Sequence, residues 1–375
     1  MKYIDEFRDG ALARKIADAM RRETDSSRTY RFMEFCGGHT HAIARYGLTA
    51  LLPTQIKMIH GPGCPVCVLP IGRINQAIQM ALEHKVILAA YGDCLRVPAT
   101  NGATLLKARA EGADVRMVYS TQDALALARA YPQKSVVFFA IGFETSTPPT
   151  AAAVIQAEAE NLANFSVLCC HLLTPSAIQG ILEEESQQAE GLLLDGMVGP
   201  AHVSTIIGSA PYEFIAERYR KPVVIAGFEP LDMLQAILML VRQVNDDRAV
   251  VENEFIRAVA RTGNEKAKRL MAQCFAVRES FEWRGLGQLP QSALCLKPEY
   301  ARFDAEIRHP VPYYPVADHK ACECTAVLRG RKEPNDCKAF GVACTPENPL
   351  GACMVSSEGA CAALYTYGLW QTRKN

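Results

Sequence analysis

The chain of 375 residues sets 40 Lys and Arg against 40 Asp and Glu, is 49% apolar, and holds 14 cysteines. At roughly 100–200 residues per domain, this length predicts two or three domains, each able to bury a core. Zero formal net charge gives no surplus for binding a polyanion, no apolar run reaches the roughly 18–20 residues of a membrane helix, and MKYIDEFRDG lacks a secretory signal's apolar stretch, so nucleic acid and membrane are excluded as expected partners and the cytoplasm is the expected compartment.

Residues 1–29 are expected to form a helical segment that packs on the C-terminal domain. From residue 30 onward short, nearly continuous apolar runs recur: 30-YRFMEF-35, 55-QIKMIH-60, 86-VILAAY-91, 114-DVRMVY-119, 135-SVVFFAI-141, 165-FSVLCC-170, 192-LLLDGMV-198 and 222-PVVIAG-227. Without period-two alternation they read as strands buried on both faces of parallel sheets. Between them lie helical patterns at 73–84, 122–131, 175–188 and 231–244. The alternation predicts an α/β protein with two Rossmann-like parallel-sheet domains, over 30–120 and 121–245, with a closed eight-stranded barrel as the competing arrangement. Beyond 245, helices are expected over 250–262 and 265–275, and from Trp283 Pro, Gly and Cys prevail. The segment 246–375 therefore reads as a helical, loop-rich domain that a metal or covalent links must hold together.

Ligands of parallel α/β sheets bind beyond the carboxyl ends of strands, so the loops carry the functional signal. After the first strand comes 36-CGGHTH-41, after the second 61-GPGCPVC-67, and later 92-GDCLR-96, 142-GFETS-146, 171-HLLTPS-176, 199-GPAHVS-204 and 227-GFEP-230. In the first, Cys36 with His39 and His41 offers a soft thiolate and imidazoles, a set suited to iron, copper or zinc, on a glycine-rich backbone that lets a ligand approach. Cys64 and Cys67 precede a helix start, where amide dipoles favour a thiolate; a redox pair and half of a zinc knuckle both satisfy that spacing. Glu144, Thr145, His202 and Glu229 are candidate cleft residues, and helix capping accounts for some of these positions as well. Glycine-rich phosphate loops of the usual kinds are missing.

The tail carries Cys322-x-Cys324, Cys337, Cys344, Cys353 and Cys361, with gaps of 12, 6, 8 and 7 residues after the CxC. Six sulfurs in a loop-rich segment satisfy the four-thiolate demand of a [4Fe–4S] cluster, or of zinc, with two left over. The absence of paired CxxC knuckles favours the cluster. Cys169 and Cys170 lie inside an apolar run and read as core, while Cys274 and Cys295 look incidental.

CGGHTH, GPGCPVC, GFETS, 200-PAHVSTIIG-208 and the 337–361 segment C…FGVACTPENPLGACMVSSEGAC, in this order, resemble the HypD family of hydrogenase maturation factors from about residue 30 to the C-terminus. The resemblance implies two similar α/β domains facing a cleft, plus a third domain with a [4Fe–4S] cluster. It further implies a scaffold that builds the Fe(CN)2(CO) group of [NiFe]-hydrogenases with a HypC-like chaperone and a HypE-like cyanide donor. Carried onto this sequence, Cys36 would hold the iron bearing cyanide and CO beside His39, and Cys64 with Cys67 would be a redox pair. Cys322, Cys337, Cys344 and Cys361 would bind the cluster, leaving Cys324 and Cys353 as a dithiol similar to that of ferredoxin-thioredoxin reductase. An iron-sulfur thiol-disulfide oxidoreductase is the alternative function. Cys94 lies outside the family's cysteine set, and Thr325 stands where the family pattern has Gly.

Overall fold

The computed structural model describes residues 4–187 and 193–368. Residues 1–3 of the N-terminal segment, Gln188 of the 175–188 pattern, Leu192 of the seventh apolar run and residues 369–375 lie outside that range.

All eight apolar runs contain strands: β1 (Tyr30–Glu34), β2 (Ile56–His60), β3 (Ile87–Tyr91), β4 (Val115–Val118), β5 (Val136–Gly142), β6 (Phe165–His171), β7 (Gly196–Gly199) and β8 (Val223–Ile225). A ninth, β9 (Val251–Asn253), adds to the edge of β8. They form two open, wholly parallel sheets, β2-β1-β7-β8-β9 and β4-β3-β5-β6, which disposes of the closed barrel. Both sheets begin at an inner strand, step outward once, then cross to the other side, so they share one doubly wound order.

The expected division at residue 120 does not coincide with the boundary between the sheets. β4 and β5 flank that residue, yet both pair with β3. The larger sheet instead takes β1 and β2 from one segment and β7 to β9 from another, with the smaller sheet inserted between them. Uniformly buried strands carry no mark of which sheet they join: β5 and β6 are buried at every position.

Two further expectations are corrected. The helix Gly10–Glu23, capped by Asp9 Oδ1 on the amides of Ala11 and Leu12, buries Ala13, Ala17 and Met20 against the helix Pro230–Asn245 of the larger sheet's layer, rather than on the C-terminal domain. Its small-residue face lets the two helices approach closely, and forked hydrogen bonds from Arg242 to Glu23 close its end. The stretch 250–262 is no helix: β9 uses its start, and Asn253 Nδ2 donates to Val259 O at 2.8 Å, a local side-chain bond that competes with helical pairing. The helix Glu265–Cys274 follows.

The rest is loop-rich, with the antiparallel pairs β10 (Phe275–Val277)/β13 (Leu294–Leu296) and β11 (Ser280–Trp283)/β12 (Gly287–Pro290). The tail does not stand alone. Leu328, Ala352 and Met354 are buried in one apolar cluster with Val68, Leu69 and Ile74, so it borrows the core of the earlier α/β layers. Among the described residues no helix is long and apolar enough to cross a membrane.

Candidate functional site

In the larger sheet the chain reverses direction of build between β1 and β7, and there the loops after these strands must part to leave a crevice. Cys36 follows β1 as the cap residue of the helix Gly37–Arg45; His202 follows β7 in the helix Ala201–Ile207. Their side chains meet, with Cys36 Sγ 3.7 Å from His202 Nδ1. The glycines of the motif are there for space. A methyl group on Gly37 would overlap Glu358, on Gly38 the ring of Phe228, and on Gly63 the backbone of Cys36 itself.

Cys36 is 4% exposed. Burial pushes its thiol up to about 12, the nearby Glu358 carboxylate adds to the rise, and the backbone N–H groups of Gly38 and His202 oppose it. The sulfur therefore sits protonated at neutral pH, with two amides aimed at the place where a thiolate would form. His39 is fully buried, which pulls its imidazole down to about 4 and keeps it neutral. Its Nε2 lies 3.0 Å from Ala226 O; a carbonyl only accepts, so Nε2 carries the proton and Nδ1 keeps a lone pair. That Nδ1 has no hydrogen-bond partner among the described residues. Phe228 connects the imidazoles, its ring 4.2 Å from that of His202 and 5.3 Å from that of His39.

His41 belongs to a different contact. Its Nδ1 faces Ser357 O at 3.4 Å and its Nε2 the Tyr367 hydroxyl at 3.0 Å, so it pins the tail over the Cys36 loop instead of entering the cleft. This strap brings in Glu358, whose carboxyl is pushed up to about 7 by burial and by the charges of Asp93 and Glu34.

Beneath the loop lies Glu34, fully buried at the end of β1. Oε2 accepts the Cys36 N–H at 3.0 Å; Oε1 accepts from the Thr40 hydroxyl and faces His60 Nδ1 at 3.1 Å. One carboxylate thus ties β1, the first turn of the Cys36 helix, and the end of β2. Sequence reasoning missed Glu34 and Glu358, although a charged residue inside the run YRFMEF is itself a signal, since such residues are almost never fully buried without partners.

Cys64 and Cys67 form a disulfide with Cα atoms 5.2 Å apart, Cys64 capping the short helix Pro65–Val68. Gly37 N donates to Gly63 O at 2.9 Å, joining this loop to the Cys36 loop. On its other side, the same short helix packs against the turn Ala352–Met354, which carries Cys353.

The six tail thiols converge. Cys324 is in hydrogen-bond contact with Cys322, Cys353 and Cys361, while Cys344 lies within electrostatic reach of Cys322 and Cys337. A narrow pocket is lined by Cys322, Cys324, Cys337, Cys344 and Cys361, with Cys353 outside its lining. Gly351 closes one wall, where a methyl group would overlap the sulfurs of Cys322 and Cys324. Among the described residues no three His, Cys, Asp or Glu side chains are already drawn into a metal cage; the thiols touch one another instead.

The remaining candidates fall elsewhere. Glu144 is buried after β5 and accepts from Thr174 N at 2.8 Å and Thr174 Oγ1 at 2.9 Å, holding the start of the helix Thr174–Gln187. Thr145 occupies the turn before the helix Thr147–Ala159. Glu229 caps the helix Pro230–Asn245 and is paired with Arg8 at 2.5 and 2.9 Å, so it faces the N-terminal segment. The two Gly-Phe-Glu loops are not equivalent, since one follows the third strand of its sheet in chain order and the other the fourth. Cys94, Cys169, Cys170 and Cys274 are buried in the core.

The chain matches the HypD family, described as the Hydrogenase formation hypA family, over residues 11–368. It is 62% identical over 369 residues to the hydrogenase maturation factor HypD of Cupriavidus necator, covering 98% of this chain and 97% of that protein. The HypD of Rhizobium leguminosarum bv. viciae is 60% identical over 374 residues, 100% of this chain and 97% of the relative. That of Escherichia coli is 44% identical over 373 residues, 98% of each. With its CGGHTH, GPGCPVC and PAHVS loops meeting at Cys36 and its match running almost end to end, the chain belongs to the HypD family of hydrogenase maturation factors.

Proposed function

We propose that the chain is the scaffold on which the Fe(CN)2(CO) group of a [NiFe]-hydrogenase is assembled, with Cys36 as its ligand to the iron. The observation that carries this reading is the buried Cys36 thiol at the switch point, 3.7 Å from His202 Nδ1 and faced by two amides. Low-spin iron with cyanide and CO favours a soft thiolate. Iron must displace the thiol proton, and because burial holds that proton to about pH 12, iron uptake should weaken as pH falls. A second thiolate would come from a HypC-like chaperone and the cyanide from a HypE-like donor, both entering over the exposed His202 edge.

The tail residues fit a [4Fe–4S] cluster. Six converging thiols exceed the four needed, a glycine leaves room at Cys322 and Cys324, and the buried Arg284, whose charge acts on Cys322, has an Nη2 with no hydrogen-bond partner among the described residues. Cys322, Cys337, Cys344 and Cys361 would hold it, with Cys324 and Cys353 as a neighbouring dithiol. When bound, such a cluster supplies electrons one at a time. The chain's part is to keep the pairs adjacent, as the Cys64–Cys67 helix already sits against the turn of Cys353.

Cys36→Ala should remove the infrared bands of metal-bound cyanide and CO from the co-purified partner complex; bands that persist overturn the ligand role. That same packing of Cys64–Cys67 on Cys353 favours the second reading, a thiol-disulfide oxidoreductase. It predicts disulfide reduction, in an insulin-type assay, that survives Cys36→Ala and is lost in Cys64→Ser.

A further inference from the structure

Arg284 is 4% exposed, on the turn that follows β11. Its backbone N–H donates to Val68 O at 2.7 Å, the last residue of the helix carrying Cys67, and the adjacent Gly285 packs against Leu328 and Thr325 of the helix that begins at Cys324. The residue is thus wedged between the Cys64–Cys67 helix and the helix that begins at Cys324. Its Nε and Nη2 have no hydrogen-bond partner among the described residues. Asp318 Oδ1 is 3.5 Å from Nε, and the same carboxylate accepts from Thr325 Oγ1 through Oδ2 at 3.0 Å. The guanidinium charge also acts on Cys322, favouring its thiolate.

A buried cation with unmade hydrogen bonds is costly, and native proteins retain one where an anion belongs beside it. Asp318 supplies one anion, at Nε; Nη2 is left over, and the tail thiolates, with Cys322 within electrostatic reach of the guanidinium, are the neighbouring groups that could become a second. We propose that Arg284 is the electrostatic positioning residue of the iron-sulfur site, compensating the negative charge of the thiolate-bound cluster and setting its midpoint potential. This rests on the reading that the tail holds a [4Fe–4S] cluster. Uptake of one electron from an external one-electron donor adds one negative charge to the cluster and its thiolates. A fixed positive charge nearby favours the reduced state and raises the potential, and Asp318, of opposite sign, lowers it. A forked guanidinium, unlike an ammonium, also offers several N–H groups to sulfur.

The test is an anaerobic redox titration of the full chain, followed by electron paramagnetic resonance, on Arg284→Gln, Arg284→Lys and Asp318→Asn, with iron and sulfide counted in each. Arg284→Gln should lower the midpoint by about 59 mV, a ten-fold shift in the reduced-to-oxidised ratio for one electron. Arg284→Lys should fall by less. Asp318→Asn should shift the midpoint the opposite way. A folded Arg284→Gln that holds no iron while Arg284→Lys loads normally also supports the proposal, because the charge is then required to hold the anion. Unchanged midpoints in loaded Arg284→Gln, or in Asp318→Asn when the arginine variants fail to fold, overturn it. The two levels separate: wild-type protein without about four irons and four sulfides per chain sinks the cluster reading, whereas a loaded cluster indifferent to these charges sinks only the role of Arg284.

Discussion

The two parallel sheets share one strand order but use their switch points differently. In the larger sheet the loops after β1 and β7 bring the free Cys36 thiol to His202, aim amides at it, and place neutral imidazoles nearby. In the smaller sheet the corresponding loops follow β3 and β5, and the carboxylate there, Glu144, is consumed in holding Thr174. Topology supplies two crevices; what makes one a site is whether its polar groups already have partners. Glu34 and Glu144 sharpen the contrast, since both are buried carboxylates at strand ends. Glu34 supports the Cys36 loop, whereas Glu144 supports a helix.

The strongest challenge to this contrast is Glu34→Ala. It strands His60, the Thr40 hydroxyl and the Cys36 N–H in the interior, and removal of one partner from a buried charged network costs about 3 kcal/mol. Chemical denaturation should register that loss, and the cyanide and CO bands should vanish with it. Glu144→Gln comes next. Burial pushes Glu144 up to about 7 from an ordinary 4.5, so the folded state keeps a proton that the unfolded chain releases. Its contribution is complete below pH 4.5, drains away as pH climbs to about 7, and is gone above that, a change on the order of a few kcal/mol. Unfolding curves at stepped pH should show a shallower slope in Glu144→Gln than in the parent, with the infrared bands retained. Bands lost in Glu144→Gln would break the contrast, because the second crevice would then share the chemistry. The smallest effect belongs to Arg8→Ala. The Arg8–Glu229 pair is solvent-exposed on the arginine side, so salt and water screen it; the melting midpoint should barely move, and iron loading should not change.

Much of the fold is legible in the sequence. The strands announced themselves because burial on both faces leaves continuous apolar runs, and the motif loops fell at strand ends because parallel sheets put them there. What the chain did not disclose were choices made by distant partners. Nothing in β4 or β5 says that both will flank β3. The stretch after Val250 has helical composition, yet Asn253 turns it into strand and loop through one side-chain bond. Glu229 looked like a cleft residue from its motif, but Arg8, more than two hundred positions away, claims it. The crowding of the tail cysteines was plain from spacing; that Arg284 lies buried beside them was not, because a lone arginine after Trp283 has no pattern to betray it.

The insertion of one sheet within the other has a consequence for the newborn chain. β3 to β6 form an unbroken stretch whose strands can pair early, as contiguous units tend to do, with Phe275, Leu294 and Phe303 completing their core only later. The larger sheet must wait with β1 and β2 in hand until β7 to β9 have been made. His202 is 166 residues downstream of Cys36, so for a long stretch of translation the sulfur lacks that imidazole and the crevice has one wall. The proposed iron site is therefore finished late, by an element synthesised after Cys36, and a truncated or stalled product would carry the Cys36 motif without the His202 wall.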